Sequence, residues 1–150
     1  MNVLIVGFGS YQADDQIGWL IVDQLQSLET LPNNVSFLKI AGNAMVWLAQ
    51  VEVETQLIFI DAVRSEKAIG FIHRLEFSTD LPLTLSTFSS HGLGLVESLK
   101  LAQSLNLLNG SSLFYGVEIG RDKSFELISK DVIKSIPEVT AEIEKYLLSD

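Results

Sequence analysis

Short runs of consecutive apolar residues, separated by segments of helical periodicity, recur along this chain of 150 residues. The first run lies between Asn2 and Gly7 and is apolar at successive positions, not at alternate ones. A strand with this pattern is covered on both faces, which is the rule in parallel sheets flanked by helices. This feature restricts the chain to an α/β fold before its composition is considered.

Strand and helix patterns then alternate. The first predicted helix has an apolar face made of Ile17, Leu20, Ile21 and Leu25. A second strand over residues 35–40, a short helix over 45–50 and a third strand over 57–61 follow. The order β-α-β-α-β predicts parallel strands joined by helical crossovers.

The fourth predicted strand, residues 68–77, follows the third after only the short segment 64–67. A parallel crossover needs a dozen or more residues, so we expect this strand to be antiparallel and to lie at the sheet edge. Residues 81–90 are predicted to form a loop.

The last predicted elements are a helix, a strand and a helix. The first of these helices has Leu95, Leu99, Ala102 and Leu105 on one face, and it is expected to end near Asn109 and Gly110. The strand covers residues 112–117. The terminal helix has Pro137 as an early residue and an apolar stripe of Val139, Ile143, Tyr146 and Leu147. Together the elements predict one domain over residues 1–150, a three-layer α/β/α sandwich whose mostly parallel five-stranded sheet has one antiparallel edge strand.

Composition excludes several functions. Ten Lys and Arg against nineteen Asp and Glu give a formal net charge of −9, which repels nucleic acid and anionic membranes. The absence of cysteine excludes disulfides, thiolate metal sites and thiol nucleophiles. No basic residue opens the chain as in a signal peptide, and no apolar run approaches the roughly 18 residues of a membrane span. We expect a cytoplasmic protein that acts as a monomer.

Polar residues gather where the predicted parallel strands end. Asp14 and Asp15 follow the first strand, Asp61 ends the third, and Ser89, Ser90 and His91 precede a helix. Ligands of open parallel sheets bind beyond the carboxyl ends of the strands, so these side chains are expected at one edge. Two carboxylates and an imidazole are ligands that suit a divalent first-row transition metal, with water molecules as the remaining ligands.

Structural roles compete with this interpretation. Asp14 or Asp15 is suited to cap the first helix, and Asp61 and His91 could be satisfied core residues. His73, in the middle of a strand, is predicted to be an ordinary surface residue. An acid pair of Asp15 and Asp61 sharing a proton is a further alternative.

Other catalytic motifs are incomplete. Gly7-Phe8-Gly9 follows a strand as in a dinucleotide-binding loop, but Gln12 occupies the place of the third glycine. The sequence has no phosphate-binding Walker loop, no G-x-S-x-G elbow and no H-E-x-x-H helix.

Four segments together resemble the hydrogenase maturation proteases. They are Gly7-Phe8-Gly9, Asp14-Asp15-Gln16-Ile17-Gly18, Ile60-Asp61-Ala62 and Ser90-His91-Gly92-Leu93-Gly94-Leu95. The resemblance implies an α/β/α endopeptidase that removes a C-terminal extension from the large subunit of nickel-iron hydrogenases after nickel insertion. It also implies that Asp15, Asp61 and His91 are the catalytic and metal-binding residues.

The resemblance leaves two roles open for nickel, which is either bound at the site or carried by the substrate. The metal either activates water and polarises the scissile carbonyl, or marks a loaded precursor for recognition. One departure is the turn after the second strand, Ile40-Ala41-Gly42-Asn43, which lacks an acid common in the family, so substrate recognition is expected to differ there. The alternative functions are a noncatalytic chaperone of the subunit or its metal centre and, on fold analogy alone, a flavodoxin-like nucleotide binder.

Overall fold

A computed structural model describes residues 2–52, 55–78, 80–82, 84–88, 91–108, 110–120 and 127–149. Within these residues the strands are β1 (Asn2–Phe8), β2 (Val35–Ile40), β3 (Thr55–Val63), β4 (Ile72–Phe77) and β5 (Ser112–Glu118). The α-helices are α1 (Ile17–Gln26), α2 (Leu85–Phe88), α3 (Gly92–Ser104) and α4 (Lys130–Leu148). Two 3-10 helices cover Ala13–Gln16 and Ala44–Gln50.

The strands form one sheet in the order β2-β1-β3-β5-β4. β1 is parallel to β2 and β3, and β3 is parallel to β5. β4 pairs antiparallel with β5 at the edge and not with β3, from which the chain reaches it. The predicted fold class, a mostly parallel five-stranded sheet with one antiparallel edge strand and helices on its faces, is confirmed.

Both faces of the sheet are buried, as the unbroken apolar run in β1 predicts. Val3 and Ile5 belong to a core shared with α1 and α4, whereas Leu4 and Val6 belong to a second core shared with α3 and with Trp47. Successive residues of a strand point to opposite faces, so only a strand covered twice buries all of them. The sheet is therefore the middle layer.

Gly18 lets α1 approach the ends of two strands. A Cβ atom at this position would lie 2.2 Å from the carbonyl oxygen of Phe8 and 2.7 Å from that of Ile60. Both neighbours are backbone atoms that cannot move aside, so any side chain here would push the helix away. The close approach brings the residues that precede α1, including Asp15, near the carboxyl end of β3.

Several predicted boundaries are wrong. β4 begins at Ile72 and not at residue 68, because Gly70 with φ of +91° forms a turn before it. α3 ends at Ser104, because Asn106 adopts φ of +57° and the N–H of Leu107 bonds back to the carbonyl of Ala102 at 2.9 Å. Asn109, where the sequence places the helix end, lies outside the described residues.

α4 begins at Lys130, so Pro137 lies inside the helix, and its predicted early position is wrong. The missing N–H of Pro137 would have bonded the carbonyl of Ile133, a residue that is itself 48% exposed, so this part of the helix is open to water. The predicted loop over residues 81–90 contains the single turn α2, whose Leu85 is buried. No helix among the described residues has the length and apolarity needed to cross a membrane.

Candidate functional site

Asp61 and His91 form the centre of the candidate site. The carboxylate of Asp61 is fully buried, and the Nδ1 atom of His91 lies 3.0 Å from its Oδ2 atom and 3.2 Å from its Oδ1 atom. The backbone N–H of His91 donates to Oδ2 at 3.2 Å, and that of Ala62 donates to Oδ1 at 2.8 Å. These donors compensate the carboxylate for the hydration that it loses on burial.

A second contact holds the face of the His91 ring. It stacks on the ring of Phe8 at the end of β1, with 5.3 Å between centroids and an angle of 19° between the planes. The residue stands directly before α3, so the helix start fixes its backbone. A carboxylate that is hydrogen-bonded to one ring nitrogen sets the tautomer and the orientation of the imidazole. Because Nδ1 faces Asp61, the Nε2 atom of His91 points away from it.

The hydrogen bond to Asp61 raises the pKa of His91 above its usual 6.5. Burial opposes this change, while the negative charges of Asp61 and of Asp15 add to it. The ring therefore holds its proton to a higher pH than a free histidine does. Asp15 is thus a second carboxylate whose negative charge acts on this ring.

Asp15 reaches the site from the 3-10 helix Ala13–Gln16, which packs against β3. Its Oδ1 atom is buried and has no hydrogen-bond partner among the residues that the structure describes. A buried carboxylate oxygen without a donor is costly, because it gives up water and receives nothing in return. Such an atom fits a site that receives its partner from a bound cation or a substrate.

Asp14 faces a different part of the molecule. Its two carboxylate oxygens accept hydrogen bonds from the backbone N–H and the hydroxyl of Ser129, each at 2.6 Å. Ser129 is the N-cap residue of α4. The prediction that Asp14 or Asp15 caps α1 is wrong, because Gln16 precedes that helix and makes no side-chain cap bond. Asp14 instead supports the start of the distant α4.

The structure thus brings Asp61 and His91 into contact and places Asp15 close by. Among the residues described, no three or more His, Asp and Glu side chains surround a common point in the way a metal ion requires. Two carboxylates and one imidazole, with the Oδ1 of Asp15 unpartnered, are nevertheless donors that suit a divalent first-row metal. The metal site stays a prediction, and Ser89 and Ser90 lie outside the described residues.

A second polar cluster was missed at the sequence level. The carboxylate of Glu118, 1% exposed, receives the backbone N–H of Ser65 at 2.6 Å and its hydroxyl at 2.5 Å. The Nε2 atom of His73 lies 3.0 Å from the same carboxylate, and only 16% of the His73 side chain is exposed. The prediction that His73 is an ordinary surface residue is therefore wrong. The signal was available in Glu118, an acid at the end of the apolar strand β5, much as Asp61 lies near the end of β3.

The pKa of Glu118 is lowered below its usual value. Burial alone would raise it, but the hydrogen bonds from Ser65 and the contact with His73 outweigh burial. The charged carboxylate ties the connection between β3 and β4 to the end of β5. We assign this cluster a structural role.

Comparison with known families gives the identity of the fold. The family model described as hydrogenase maturation protease (HycI) matches residues 20–146, a range that includes Asp61 and His91. The chain belongs to the hydrogenase maturation protease family. Both the family and the enzyme class predicted from the sequence, an endopeptidase, are confirmed. Asp15 lies before the matched range.

Solved structures of other maturation proteases share this fold. The hydrogenase maturating endopeptidase HybD from E. coli superposes with a TM-score of 0.79 at 23% identity, over 95% of this chain and 90% of that one. The [NiFe] hydrogenase maturation protease HybD from Thermococcus kodakarensis has a TM-score of 0.79 at 21% identity, over 98% and 99%. The hydrogenase 2 maturation peptidase from a Thaumarchaeota archaeon has a TM-score of 0.70 at 24% identity over both whole chains. A search of curated proteins gives no significant match.

Proposed function

We propose that this maturation protease removes a C-terminal extension from the nickel-loaded large-subunit precursor of a nickel-iron hydrogenase. The observation that carries the proposal is the buried contact of Asp61 with His91, with the charge of Asp15 beside it, at the carboxyl edge of the sheet. Family membership supplies the reaction class, hydrolysis of a peptide bond. We place the reaction in the cytoplasm, in keeping with the sequence-based expectation.

Nickel is part of the proposal as cargo of the precursor. Asp15, Asp61 and His91 are the residues that would hold it, through carboxylate oxygens and a ring nitrogen. A bound divalent ion supplies Lewis acidity toward a carbonyl oxygen. Asp61 holds the His91 ring through Nδ1 and leaves Nε2 as the ring nitrogen that would reach the ion.

The chain's own residues have separable tasks in this proposal. Asp61 orients the His91 ring through Nδ1, and Phe8 holds the plane of that ring. Asp15, whose Oδ1 atom has no hydrogen-bond partner within the described part of the chain, is the base that accepts a proton from the attacking water. The water oxygen bonds to the carbonyl carbon, the carbon–nitrogen bond breaks, and the proton passes to the departing amine.

Three substitutions test the proposal. Asp15→Asn, Asp61→Asn and His91→Ala are expected to slow cleavage of nickel-loaded precursor by about 100-fold or more, since each removes a group that contacts the substrate or orients one that does. Mass spectrometry of the precursor after incubation measures the cleaved fraction. Glu97→Gln, an exposed change on the α3 helix that follows His91, is the matched control and should cleave at the wild-type rate.

Two results would contradict the proposal. If all three variants cleave at the wild-type rate, the site is misplaced. If the wild-type protein binds the precursor but leaves its mass unchanged, the noncatalytic chaperone becomes the better description. Thermal melting of each variant separates loss of activity from loss of folding.

A further inference from the structure

A cleft of about 450 Å³ lies between α1 and the end of β2. Its apolar walls are Tyr11, Trp19, Leu20 and Ala41, and we call it the aromatic cleft. The indole N–H of Trp19 donates to the carbonyl of Ile40 at 3.1 Å, which fixes this wall to the strand. Tyr11 stands edge-on to Trp19 with 5.0 Å between ring centroids, yet it is 88% exposed. A rigid indole beside an exposed phenol ring offers an apolar surface to which a partner can bind.

The charges at the cleft cancel each other. The Nζ atom of Lys39 lies 2.6 Å from the Oδ1 atom of Asp23, and both residues line the cleft. Because this pair is neutral as a unit, the cleft favours an apolar side chain over an acidic or a basic one.

The neighbouring strand edge can bind an extended peptide. β2 is the outermost strand, and no described strand pairs with its outer side. The carbonyl of Ile40 points to β1, where it accepts the N–H of Gly9 at 3.0 Å. Alternation along a strand then directs the N–H and C=O of Lys39 to the unpaired side. Main-chain pairing with such an edge holds a peptide, while a pocket beside it selects a side chain.

The aromatic cleft lies at the same end of the sheet as the candidate site. Gln16, which follows Asp15 in the chain, lines it. Lys39, Gly7 and Ile60 lie in one row across β2, β1 and β3, so the cleft is two strand spacings, about 10 Å, from the strand that holds Asp61. An extended peptide advances about 3.3 Å per residue, so three or four residues cover this distance.

We propose that the aromatic cleft is a specificity pocket for the precursor. It takes an apolar side chain three or four residues from the bond to be cleaved. The residues between the pocket and that bond cross the carboxyl ends of β2 and β1, and the residues beyond the pocket pair with the outer edge of β2 at Lys39. The inference rests on the proposed function, because the bond to be cleaved is placed at Asp15, Asp61 and His91.

Tyr11→Ala tests the pocket, because this side chain lines the cleft, is largely exposed and meets the ring of Trp19 edge-on. Its removal is therefore expected to change the pocket and not the core. Binding of nickel-loaded precursor is measured by biolayer interferometry, and cleavage by mass spectrometry. We expect the Kd and the KM to rise about tenfold and kcat to change by less than about twofold. Tyr11→Phe keeps the ring, and Leu105→Ala removes an exposed apolar side chain at the opposite end of α3. Both controls should match the wild type.

The substrate gives an independent test. Apolar residues of the precursor within about four positions of the cut bond are changed to Asp one at a time. At one of these positions, the change to Asp should weaken binding of the precursor to the wild-type protein about tenfold. The same change should have little further effect on binding to the Tyr11→Ala variant. Equal binding and cleavage by Tyr11→Ala and the wild type would overturn the pocket. Precursor that binds through Tyr11 but is not cut would support the pocket and contradict the endopeptidase.

Discussion

Asp14 and Asp15 are adjacent in the chain, yet their carboxylates serve different parts of the molecule. Asp14 has donors on both oxygens, from the backbone and hydroxyl of Ser129. Asp15 has a buried oxygen for which no described residue supplies a hydrogen bond. A carboxylate whose oxygens all receive hydrogen bonds stabilises the fold. A buried carboxylate oxygen that lacks a hydrogen bond destabilises the fold, and a ligand that binds to it can offset that loss. The two environments separate the structural role of Asp14 from the chemical role that we propose for Asp15.

The pKa of His91 is a prediction at this scale. We expect a value above 6.5 for the wild type and a lower one for Asp61→Asn, because the largest raising influence is then removed while burial still lowers the pKa. Titration of the ring by NMR in buffer with a chelator measures both values. The chain has two histidines, so His73→Gln assigns the signals.

The sign of the stability effect follows. A raised pKa in the folded state means that the protonated ring stabilises the fold at pH values below 6.5, and that this contribution is lost as pH rises through the folded-state pKa. An unchanged titration in Asp61→Asn would show that the contact with Asp61 does not control the ring. Glu97→Gln, remote on the exposed side of α3, should leave the titration unaltered.

The residues of the candidate site were predictable because their positions repeat one rule. Asp15 follows the apolar strand β1, Asp61 lies near the carboxyl end of β3, and His91 precedes a helix, so the topology of a parallel sheet is expected to bring them to one edge. The role of His73 could not be predicted in this way. Its partner Glu118 is 45 residues away, and only the pairing of β4 with β5 makes them neighbours.

At the scale of elements, the connection between β3 and β4 depends on Glu118. Its carboxylate binds Ser65, and its backbone exchanges hydrogen bonds with Gly70 and Phe71 at 2.8 Å. We predict that Glu118→Gln lowers the free energy of unfolding at pH 7 by about 1.5–3 kcal/mol, the usual worth of hydrogen bonds to a charged group. Urea denaturation followed by circular dichroism measures it.

The effect should depend on pH. Because the pKa of Glu118 is lowered in the folded state, its charged form stabilises the protein above the unfolded value near 4.5, and this contribution fades as pH falls through the folded value. The difference between wild type and Glu118→Gln should therefore shrink below about pH 4.5. Glu76→Gln, which alters a 53% exposed side chain, is the control and should cost less than about 1 kcal/mol. A pH-independent difference would contradict this account.

Helix boundaries were predicted less well than helix positions, and the reason is physical. The stripe of Val139 and Ile143 indicates α4, but the start of that helix is supported by Asp14, which lies 115 residues earlier. Local rules place Pro137 early because they include no such distant partner. The end of α3 depends similarly on the backbone of Asn106, which adopts a left-handed conformation. Asn tolerates that conformation but also occurs in many others, so the residue type alone does not predict where the helix ends.

At the scale of the whole molecule, the fold class follows from the sequence, but the strand order does not. The apolar run in β1 requires cover on both faces, and the short connection before β4 requires an antiparallel strand. Nothing local indicates that β5 inserts between β3 and β4. That arrangement depends on how four parallel strands and their helices pack together.

The oligomeric state is a prediction at this scale. We expect a monomer, since the net charge of −9 makes like copies repel each other. Size-exclusion chromatography with light scattering should give a mass near 16.6 kDa at moderate salt. A mass of about twice that value, persisting on dilution, would contradict the prediction.

The bond between Asp14 and Ser129 has a consequence for handling the protein. The segment that carries Asp15 is tethered to the N-cap of α4, so the last helix supports one side of the candidate site. We expect that truncating the chain into α4 disturbs cleavage from a distance, and affinity tags are better attached elsewhere.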